Sequence, residues 1–488
     1  MWKRLWKISN LKYVVGFLVP AIFVMLLVGG VDNDSWGVIA EGRYIVENGV
    51  YYQDVLSMHE GLNITVQNYG FAVIFYLIYS FLGTAGLYIG MLFLNFVVCY
   101  LIYMICMLLS DKNSNLSLLI MMITDVILAL GFVTTRAQMV SYVIFLSLIY
   151  ILELYIKSGK PKYLWLVPLL SILQVNLHAS LWLMLIFVLG VYIIDSIKKP
   201  EFHLQGYKTG PLVVTLAGTL VVGLINPYGM RMLTLMLTSY GDTTLKKLVQ
   251  ELTAFSPFGG YLEIAVYLSI VGVAFLYIFG KKRSVRMRYF MMFFGFLALG
   301  LNTVKGLSQF ILVLFFPLAL MYKDARIGKI IDAEIARKAL MFWVGAVTIS
   351  VFVALCIVEI PRIKNWSSEG MARAMDVIDE SSENNKNIKV YTGYNNGGYA
   401  EFRGYKAYLD PRGEVFLKKN NGKDDILKEW VDFIDRKIEL NDFLDKYQFD
   451  YMIIDEWHEE KMYNMGNEKY KMIYEDGEEK IKVFKKIN

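Results

Sequence analysis

The chain has 488 residues, of which 56% are hydrophobic and only 19% are charged, and its mean hydropathy is +0.44. Apolar runs of about 17–25 residues recur through its first three quarters, and each is long enough to cross roughly 30 Å of hydrocarbon. This composition excludes a soluble globular protein and predicts a polytopic α-helical membrane protein. The basic residues cluster at the ends of the apolar runs, so nothing indicates nucleic-acid binding.

The first apolar run, residues 14–30, is followed by no small-residue cleavage site, and we interpret it as a retained membrane span. It leads into an unusual acidic segment, the opening loop, which comprises residues 32–68. Up to residue 62 this loop carries a single arginine, Arg43, and six acidic residues, namely Asp32, Asp34, Glu41, Glu47, Asp54 and Glu60. Such a charge density directly after a span indicates a folded extramembrane loop.

Eleven spans are predicted, at about 13–31, 84–109, 116–133, 137–157, 163–178, 179–195, 211–226, 261–280, 287–303, 306–322 and 339–360. The short apolar stretch 67–82 is not counted as a crossing. On this assignment 21 Lys and Arg residues of the first 360 lie on the cytoplasmic side and 6 on the other. Because cytoplasmic loops are enriched in Lys and Arg, this assignment is favoured, with the N-terminus inside.

Residues 361–488 then lie outside the cell, and their composition differs from that of the spans. This tail holds 22 basic and 26 acidic residues, whereas residues 1–360 hold 27 and 18. It contains strand-like runs at 388–391 and 451–454, a helix-like run at 424–438 and a hairpin-like pair around residues 475–477. We predict a membrane domain over 1–360 and a soluble extracytoplasmic α/β domain over 361–488, in which Gly397 and Gly398 form a turn that needs positive φ.

Two carboxylates stand at the start of the opening loop. Asp32 and Asp34 could supply a general base, or bind a divalent cation together with water. The competing interpretation is structural, since Asp34 could cap a helix that begins at Ser35. The spacing alone leaves both interpretations open.

Five further polar residues are predicted at the same outer side of the membrane. Arg136 and Lys305 could neutralise a phosphate, or they could reach to lipid head groups. His178 could transfer a proton, or be a hydrogen-bonded interfacial histidine. Asn176 and Glu251 lie in the neighbouring outer segments. Ionisable residues at a membrane face are costly, so their gathering predicts a binding site.

The opening stretch resembles the first outer loop of bacterial integral-membrane glycosyltransferases of the C-type fold. In that family an Asp-x-Asp pair and an aromatic residue start the loop, followed by a Gly-Arg-x-Ile helix and an Asp-x-x-Ser turn. The matching residues are Asp32, Asp34, Trp36, Gly42, Arg43, Ile45, Asp54 and Ser57.

The resemblance continues in order along the chain, in a largely uncharacterised branch of the family. The later matching positions are Arg136, Asn176, His178, the segment 226–229, Glu251, Gly397, Gly398, Tyr399, Asp410 and Arg412. The chain departs from the family pattern at Tyr69, Ala137 and Ala179, where tryptophan, proline and glycine are usual.

The resemblance implies an inverting glycosyltransferase that takes a sugar from a polyprenyl-phosphate carrier. Asp34 or Asp32 would deprotonate an acceptor hydroxyl on a cell-surface glycan or glycolipid, and the five other residues would contact the donor or the acceptor. A divalent cation is compatible with the Asp pair but is not required. The alternative is a non-enzymatic membrane scaffold, or lipid-binding component of a surface-assembly machine; a transporter is disfavoured because charges are scarce at mid-membrane.

Overall fold

The computed structural model describes a protein of helices with one small sheet. The described residues are 8–28, 30–197, 207–239, 242–249, 252–254, 256, 260, 266–267, 269–270, 286–324, 369–382, 388–455, 462, 469–477 and 480–487. The chain divides into two compact units that alternate along the sequence. Unit 1 comprises 1–29, 88–226 and 249–365, and unit 2 comprises 30–87, 227–248 and 366–488.

Unit 1 is built from apolar helices. They are α1 (Ile8–Leu27), the second part of α3 (Tyr69–Leu109), α4 (Ser114–Ala129), α5 (Gln138–Ser158), α6 (Leu166–Leu177), α7 (Trp182–Ser196), α8 (Thr209–Val222), α11 (Met287–Asn302), α12 (Val304–Leu314) and α13 (Phe316–Asp324). Local signals set several ends. Asn113 caps α4 by accepting the Leu116 N–H at 3.1 Å, and Gly159 ends α5 in the left-handed region at φ +67°.

Three helical segments are long and apolar enough to cross a membrane, namely Tyr69–Leu109, Gln138–Ser158 and Ala179–Ser196. Five shorter apolar helices also coincide with predicted spans. The predicted spans 261–280 and 339–360 fall mostly or wholly outside the described residues. The structure thus confirms apolar, membrane-type helices, while the number of eleven crossings stays a prediction.

The stretch 67–82, which was not counted as a crossing, is helical from Tyr69 and runs into the following span within α3. Gly83 interrupts this helix with φ +63° and ψ −157°, values that a residue with a side chain rarely adopts. The fourteen residues before Gly83 would cover only about 21 Å at 1.5 Å per residue, which is less than the hydrocarbon thickness.

The interior of unit 1 contains a buried ion-pair cluster among its apolar helices. The Arg288 guanidinium of α11 donates to both carboxylate oxygens of Glu153 in α5, at 2.7 and 2.9 Å. It also donates to Asp195 of α7 at 3.0 Å. Arg288 is fully buried. These bonds join three helices through charges that could not be buried singly.

Unit 2 contains helices and the sheet. Its helices are α2 (Asn33–Asn48), the first part of α3, α9 (Met230–Ser239), α10 (Thr243–Leu248), α14 (Glu369–Ser381), α15 (Gly397–Phe402), α16 (Lys418–Asn421), α17 (Ile426–Ile434) and α18 (Leu440–Tyr447). Its strands are β1 (Lys389–Thr392), β2 (Lys406–Ala407), β3 (Tyr451–Asp455), β4 (Tyr470–Asp476) and β5 (Ile481–Lys486).

The five strands follow the order β2-β1-β3-β5-β4. The first three are parallel, and β5 pairs antiparallel with both β3 and β4. The strands predicted at 388–391 and 451–454 and the C-terminal hairpin are therefore confirmed. The predicted helix at 424–438 is shorter, because Asp425 caps α17 and the helix ends at Ile434.

The opening loop belongs to the same compact unit as the tail. Ser57 forms a parallel bridge with Ala407 of β2, and the Met58 N–H donates to the Ala407 carbonyl at 2.9 Å. The imidazole Nε2 of His59 lies 2.9 Å from the Tyr408 carbonyl oxygen. The predicted assignment of 1–360 to a membrane domain and 361–488 to an extracytoplasmic domain stays a prediction.

Candidate active site at the start of helix α2

Asp32 and Asp34 occupy different positions at the start of α2. Asp32 is the N-cap: its Oδ1 accepts the Asp34 N–H at 3.0 Å, and the residue is only 6% exposed. Asp34 lies in the first helical turn and is half-buried. The cap is thus Asp32, not Asp34 as the structural interpretation had it. A carboxylate is favourable at both positions because the helix N-terminus carries partial positive charge.

Tyr394, from the segment after β1, lies close to Asp34. Burial raises the pKa of the Tyr394 phenol well above its ordinary value, and the Asp34 carboxylate adds to this shift. The Tyr394 hydroxyl donates to the Pro411 carbonyl at 3.0 Å. The tail therefore supplies part of the surroundings of the Asp34 carboxylate.

An aromatic cluster packs on the side of α2 that carries Trp36. The Trp36 ring lies 4.7 Å from Phe402, 5.2 Å from Tyr399 and 6.2 Å from Tyr79, measured between ring centroids. Its indole Nε1 is buried and has no hydrogen-bond partner among the described residues. The cluster joins α2 to α15 through apolar contact and edge-to-face ring packing.

Gly397 and Gly398 of α15 lie where other backbone segments approach closely, Gly398 against α2 and Gly397 against Leu409. A Cβ built on Gly398 would lie 3.0 Å from the Gly37 nitrogen, and one built on Gly397 would overlap the Leu409 carbonyl. The prediction that this pair needs positive φ is wrong: both residues begin a right-handed helix, and neither has positive φ. Glycine is required here because the backbones approach too closely for a side chain.

Arg412 is surrounded by four buried carboxyl groups, which we call the Arg412 cluster. The guanidinium donates to Asp410 at 2.7 and 2.8 Å, to Asp54 at 2.9 Å and to Glu401 at 3.2 Å. Glu41 of α2 lies 3.5 Å away. Asp410 and Arg412, two residues apart in the sequence, form an ion pair that is part of this larger cluster.

Burial and Arg412 act in opposite directions on the carboxyl groups of Glu41, Glu401 and Asp54, and the balance differs between them. Burial raises the pKa of Glu41 to about 7 against the lowering effect of Arg412. Burial also raises the pKa of Glu401 well above its ordinary value, opposed by Arg412 and reinforced by Asp410 and Asp54. Asp54 is different: burial raises its pKa, but Arg412 and the Ser57 hydrogen bonds outweigh this, so its pKa lies below the ordinary value.

The other predicted site residues lie in unit 1, apart from Glu251, which lies outside the described residues. The imidazole of His178 is hydrogen-bonded at both nitrogens, to Ser141 at 2.8 Å and to Ser180 at 2.9 Å. The Asn176 amide donates to the carbonyls of Ile172 and Ile225, both at 2.8 Å. These contacts hold the end of α6 in place.

Arg136 lies between α4 and α5, and Lys305 lies in the first turn of α12; both are half-buried. Within the described part of the chain, no group of three or more His, Cys, Asp or Glu side chains could hold a metal ion. The compatibility of Asp32 and Asp34 with a divalent cation therefore rests on the sequence alone.

Sequence reasoning missed Glu41 and Glu401 as partners of Arg412. Glu41 was grouped with the other acidic residues of the opening loop, yet it is only 3% exposed. One signal was present in the sequence: Glu41 follows Ile39 and Ala40, which belong to the buried face of α2. An acidic residue beside such a face needs a buried partner.

At the sequence level, no protein-family profile and no curated protein matches the chain. Two solved structures are similar to it. The apo form of the Archaeoglobus fulgidus oligosaccharyltransferase aligns with a TM-score of 0.57 at 10% identity, over 93% of this chain and 71% of that one. The oligosaccharyltransferase AglB of the same organism, in complex with an inhibitory peptide and a dolichol-phosphate, aligns with a TM-score of 0.59 at 11% identity, over 93% and 70%. The likeness shows that the chain shares the fold of these two structures.

Proposed function

We propose that the protein is a membrane glycosyltransferase that transfers a sugar from a polyprenyl-phosphate carrier to a cell-surface glycan or lipid. The fold shared with oligosaccharyltransferases supports the reaction class. The AglB complex contains a dolichol-phosphate, which supports a lipid phosphate as carrier. The same complex contains an inhibitory peptide, so a peptide is the second acceptor class to test.

The observation that carries the proposal is the difference between the two aspartates of the opening loop. Asp32 caps α2 through its carboxylate and is buried, whereas Asp34, in the first turn, is only half-buried. Asp34 therefore has a carboxylate that an acceptor hydroxyl can approach, and we assign it as the general base. Because Asp32 is engaged by the backbone, we assign it the role of fixing the helix start.

In the proposed reaction the Asp34 carboxylate takes the proton of the acceptor hydroxyl. The oxygen attacks the anomeric carbon of the donor sugar, the new C–O bond forms, and the bond to the carrier phosphate breaks with its electron pair. Attack opposite the leaving group inverts the anomeric configuration, and the carrier phosphate leaves as an anion. Such general-base assistance contributes about 10²–10⁴-fold in rate. No step passes through a metal ion.

Arg136, Asn176, His178, Glu251 and Lys305 are proposed to contact the donor phosphate or the acceptor. Cationic groups such as Arg136 and Lys305 stabilise phosphate charge. The hydrogen bonds of His178 to two serine hydroxyls fix the orientation of its ring. Transfer by His178→Gln tests whether this side chain takes part in the reaction.

The site is proposed to lie outside the cell, with eleven spans, a cytoplasmic N-terminus and an external tail. Single-cysteine labelling of intact cells with an impermeant reagent tests this orientation. Lys160 and Asn395 are both exposed, and the described native cysteines, Cys99 and Cys106, are buried. We expect Asn395→Cys to be labelled and Lys160→Cys to be protected; the reverse result would place the site in the cytoplasm.

The decisive test of function uses purified protein in lipid nanodiscs with radiolabelled polyprenyl-phosphate sugars. Each donor is offered with glycolipid, glycan or peptide acceptors, with and without EDTA. Transfer of label to an acceptor, with release of the carrier phosphate, is the expected result. If no donor is consumed while the protein still binds the lipids, the scaffold interpretation is correct instead.

A further inference from the structure

The Arg412 cluster is assembled from four segments of unit 2. Glu41 belongs to α2, Asp54 to the opening loop, Glu401 to α15, and Asp410 to the segment after β2. Arg412 lies only two residues after Asp410, so the cluster converges on one short stretch of the tail. The side chain of Arg412 is 12% exposed, and those of its four acidic partners are at most 4% exposed.

The guanidinium is the cation that all four carboxyl groups of the cluster face. Asp54 and Asp410 are paired with the guanidinium at 2.9 and 2.7 Å. Glu401 Oε2 is buried without a hydrogen-bond partner among the described residues, and burial raises the pKa of the Glu401 carboxyl well above its ordinary value. Without the guanidinium, at least two carboxylates would stay buried and unneutralised, and this is strongly destabilising.

The cluster is connected rigidly to Asp34 through α2. Glu41 lies on this helix seven residues after Asp34, which is about two turns. The tail holds the helix at two further points. The Arg43 guanidinium donates to the Glu401 carbonyl at 3.2 Å, and Gly37 contacts Gly398 through the backbone. All three contacts come from the α15 to Arg412 region.

We propose that Arg412 is a positioning residue: through α2 it sets the location of the Asp34 carboxylate. This inference rests on the proposed function, because it assigns Arg412 a role in the same reaction. Arg412 touches neither substrate in this account. Because a displacement of about 1 Å at a reacting group can lower a rate about 10²-fold, a loosened helix would reduce turnover without weakening donor binding.

The test combines hydrogen exchange with transfer kinetics on the full-length protein. Arg412→Gln removes the guanidinium, and Arg412→Gln/Asp54→Asn also removes one of the carboxylates that it neutralises. Arg373→Gln is the matched control. Arg373 likewise pairs with a buried carboxylate, Asp476, at 2.7 Å, but Asp476 and its second ion-pair partner, Glu369, both lie in the tail.

In Arg412→Gln we expect exchange of the amides of residues 33–48 to rise by about 10²-fold or more, as for a broken buried ion pair. The kcat for transfer should fall about 10²-fold with an unchanged KM for the donor. The double variant should recover part of the exchange protection and part of the kcat, and Arg373→Gln should leave the exchange and the kcat unchanged. If Arg412→Gln cannot be purified, Arg412→Lys replaces it, because lysine keeps the charge but loses the two-oxygen contact with Asp410. It should show a smaller rise in exchange and a smaller fall in kcat.

Unchanged exchange over residues 33–48 in Arg412→Gln would overturn the positioning role. So would increased exchange with a normal kcat, since Asp34 would then need no fixed position. Absence of transfer by the unmodified protein is a separate result: it refutes the proposed function, while the exchange data still report whether Arg412 holds α2.

Discussion

The Arg412 guanidinium donates to the Asp54 carboxylate at 2.9 Å, although the two residues are 358 positions apart in the sequence. This bond joins the acidic loop that follows the first predicted span to the C-terminal tail. Three of the acidic residues of this loop have structural roles: Glu41 and Asp54 are buried partners of a tail arginine, and Asp32 caps a helix. Asp34 differs from these three, because it is only half-buried.

The cap at Asp32 predicts a structural effect without a chemical one. Replacing an aspartate N-cap by alanine costs about 0.5–2 kcal/mol, whereas asparagine caps nearly as well. We therefore expect Asp32→Ala to lower the thermal stability of the purified protein and Asp32→Asn to leave it almost unchanged. Transfer by Asp32→Asn should stay within a few-fold of the unmodified protein. A loss of turnover in Asp32→Asn at normal stability would move the base assignment to Asp32.

Glu41 predicts a pH dependence of stability. Its pKa is about 7 in the folded protein against an ordinary value of 4.5, so the folded state binds more protons between these two values. Stability from this group is fully present below about pH 4.5 and is lost as pH rises through about 7. Denaturant unfolding between pH 5 and 8 should show this decline, and Glu41→Gln should flatten it. An equal slope in both proteins would contradict the assignment.

Gly397 and Gly477 provide a matched pair of alanine substitutions. A Cβ at Gly397 would overlap the Leu409 carbonyl, whereas a Cβ at Gly477 would meet no atom within 4 Å. Because backbone must move to admit the extra carbon, we expect Gly397→Ala to destabilise by about 1–3 kcal/mol. Gly477→Ala should stay within about 0.5 kcal/mol of the unmodified protein. Equal melting temperatures for the two variants would show that the close approach at Gly397 is not required.

The ion-pair cluster of unit 1 predicts a rescue. Arg288→Met leaves Glu153 and Asp195 buried without their cation, and loss of one partner from such a cluster costs about 3–5 kcal/mol. Adding Glu153→Gln removes one of the two charges, so the double variant should be more stable than Arg288→Met alone. Unfolding in detergent measures the stability of the single and the double variant, and Lys160→Gln, at an exposed position, is the control. A double variant less stable than Arg288→Met would contradict the charge-balance argument.

Local patterns predicted the elements that local forces determine. The continuous apolar run at 451–454 and the turn residues near Gly477 were sufficient for β3 and for the C-terminal hairpin, and the longer apolar runs were sufficient for the helices of unit 1. Asp32 and Asp34 were recognised as candidates, but only the structure distinguished the buried cap, Asp32, from the half-buried Asp34, because both positions suit an aspartate at a helix start.

The contacts that position the site join residues far apart in the sequence, and the sequence patterns did not predict them. In the sequence Glu41 looks like any surface acidic residue, because its role depends on Arg412, which is far away in the chain. The prediction for Gly397 and Gly398 was wrong for the same reason. The sequence indicates a flexible turn, whereas glycine is needed there because the backbones of Gly37 and Leu409 lie close by.

The central claim is that Asp34 is the general base of a sugar transfer, and single-turnover transfer by Asp34→Asn tests it most directly. Glu47→Gln, an exposed carboxylate on the same helix, is the control. With a radiolabelled polyprenyl-phosphate sugar and an acceptor that the unmodified protein uses, we predict a rate about 10²–10⁴-fold lower in Asp34→Asn at unchanged stability. Glu47→Gln should react normally. Equal single-turnover rates for Asp34→Asn and Glu47→Gln would contradict the assignment of Asp34.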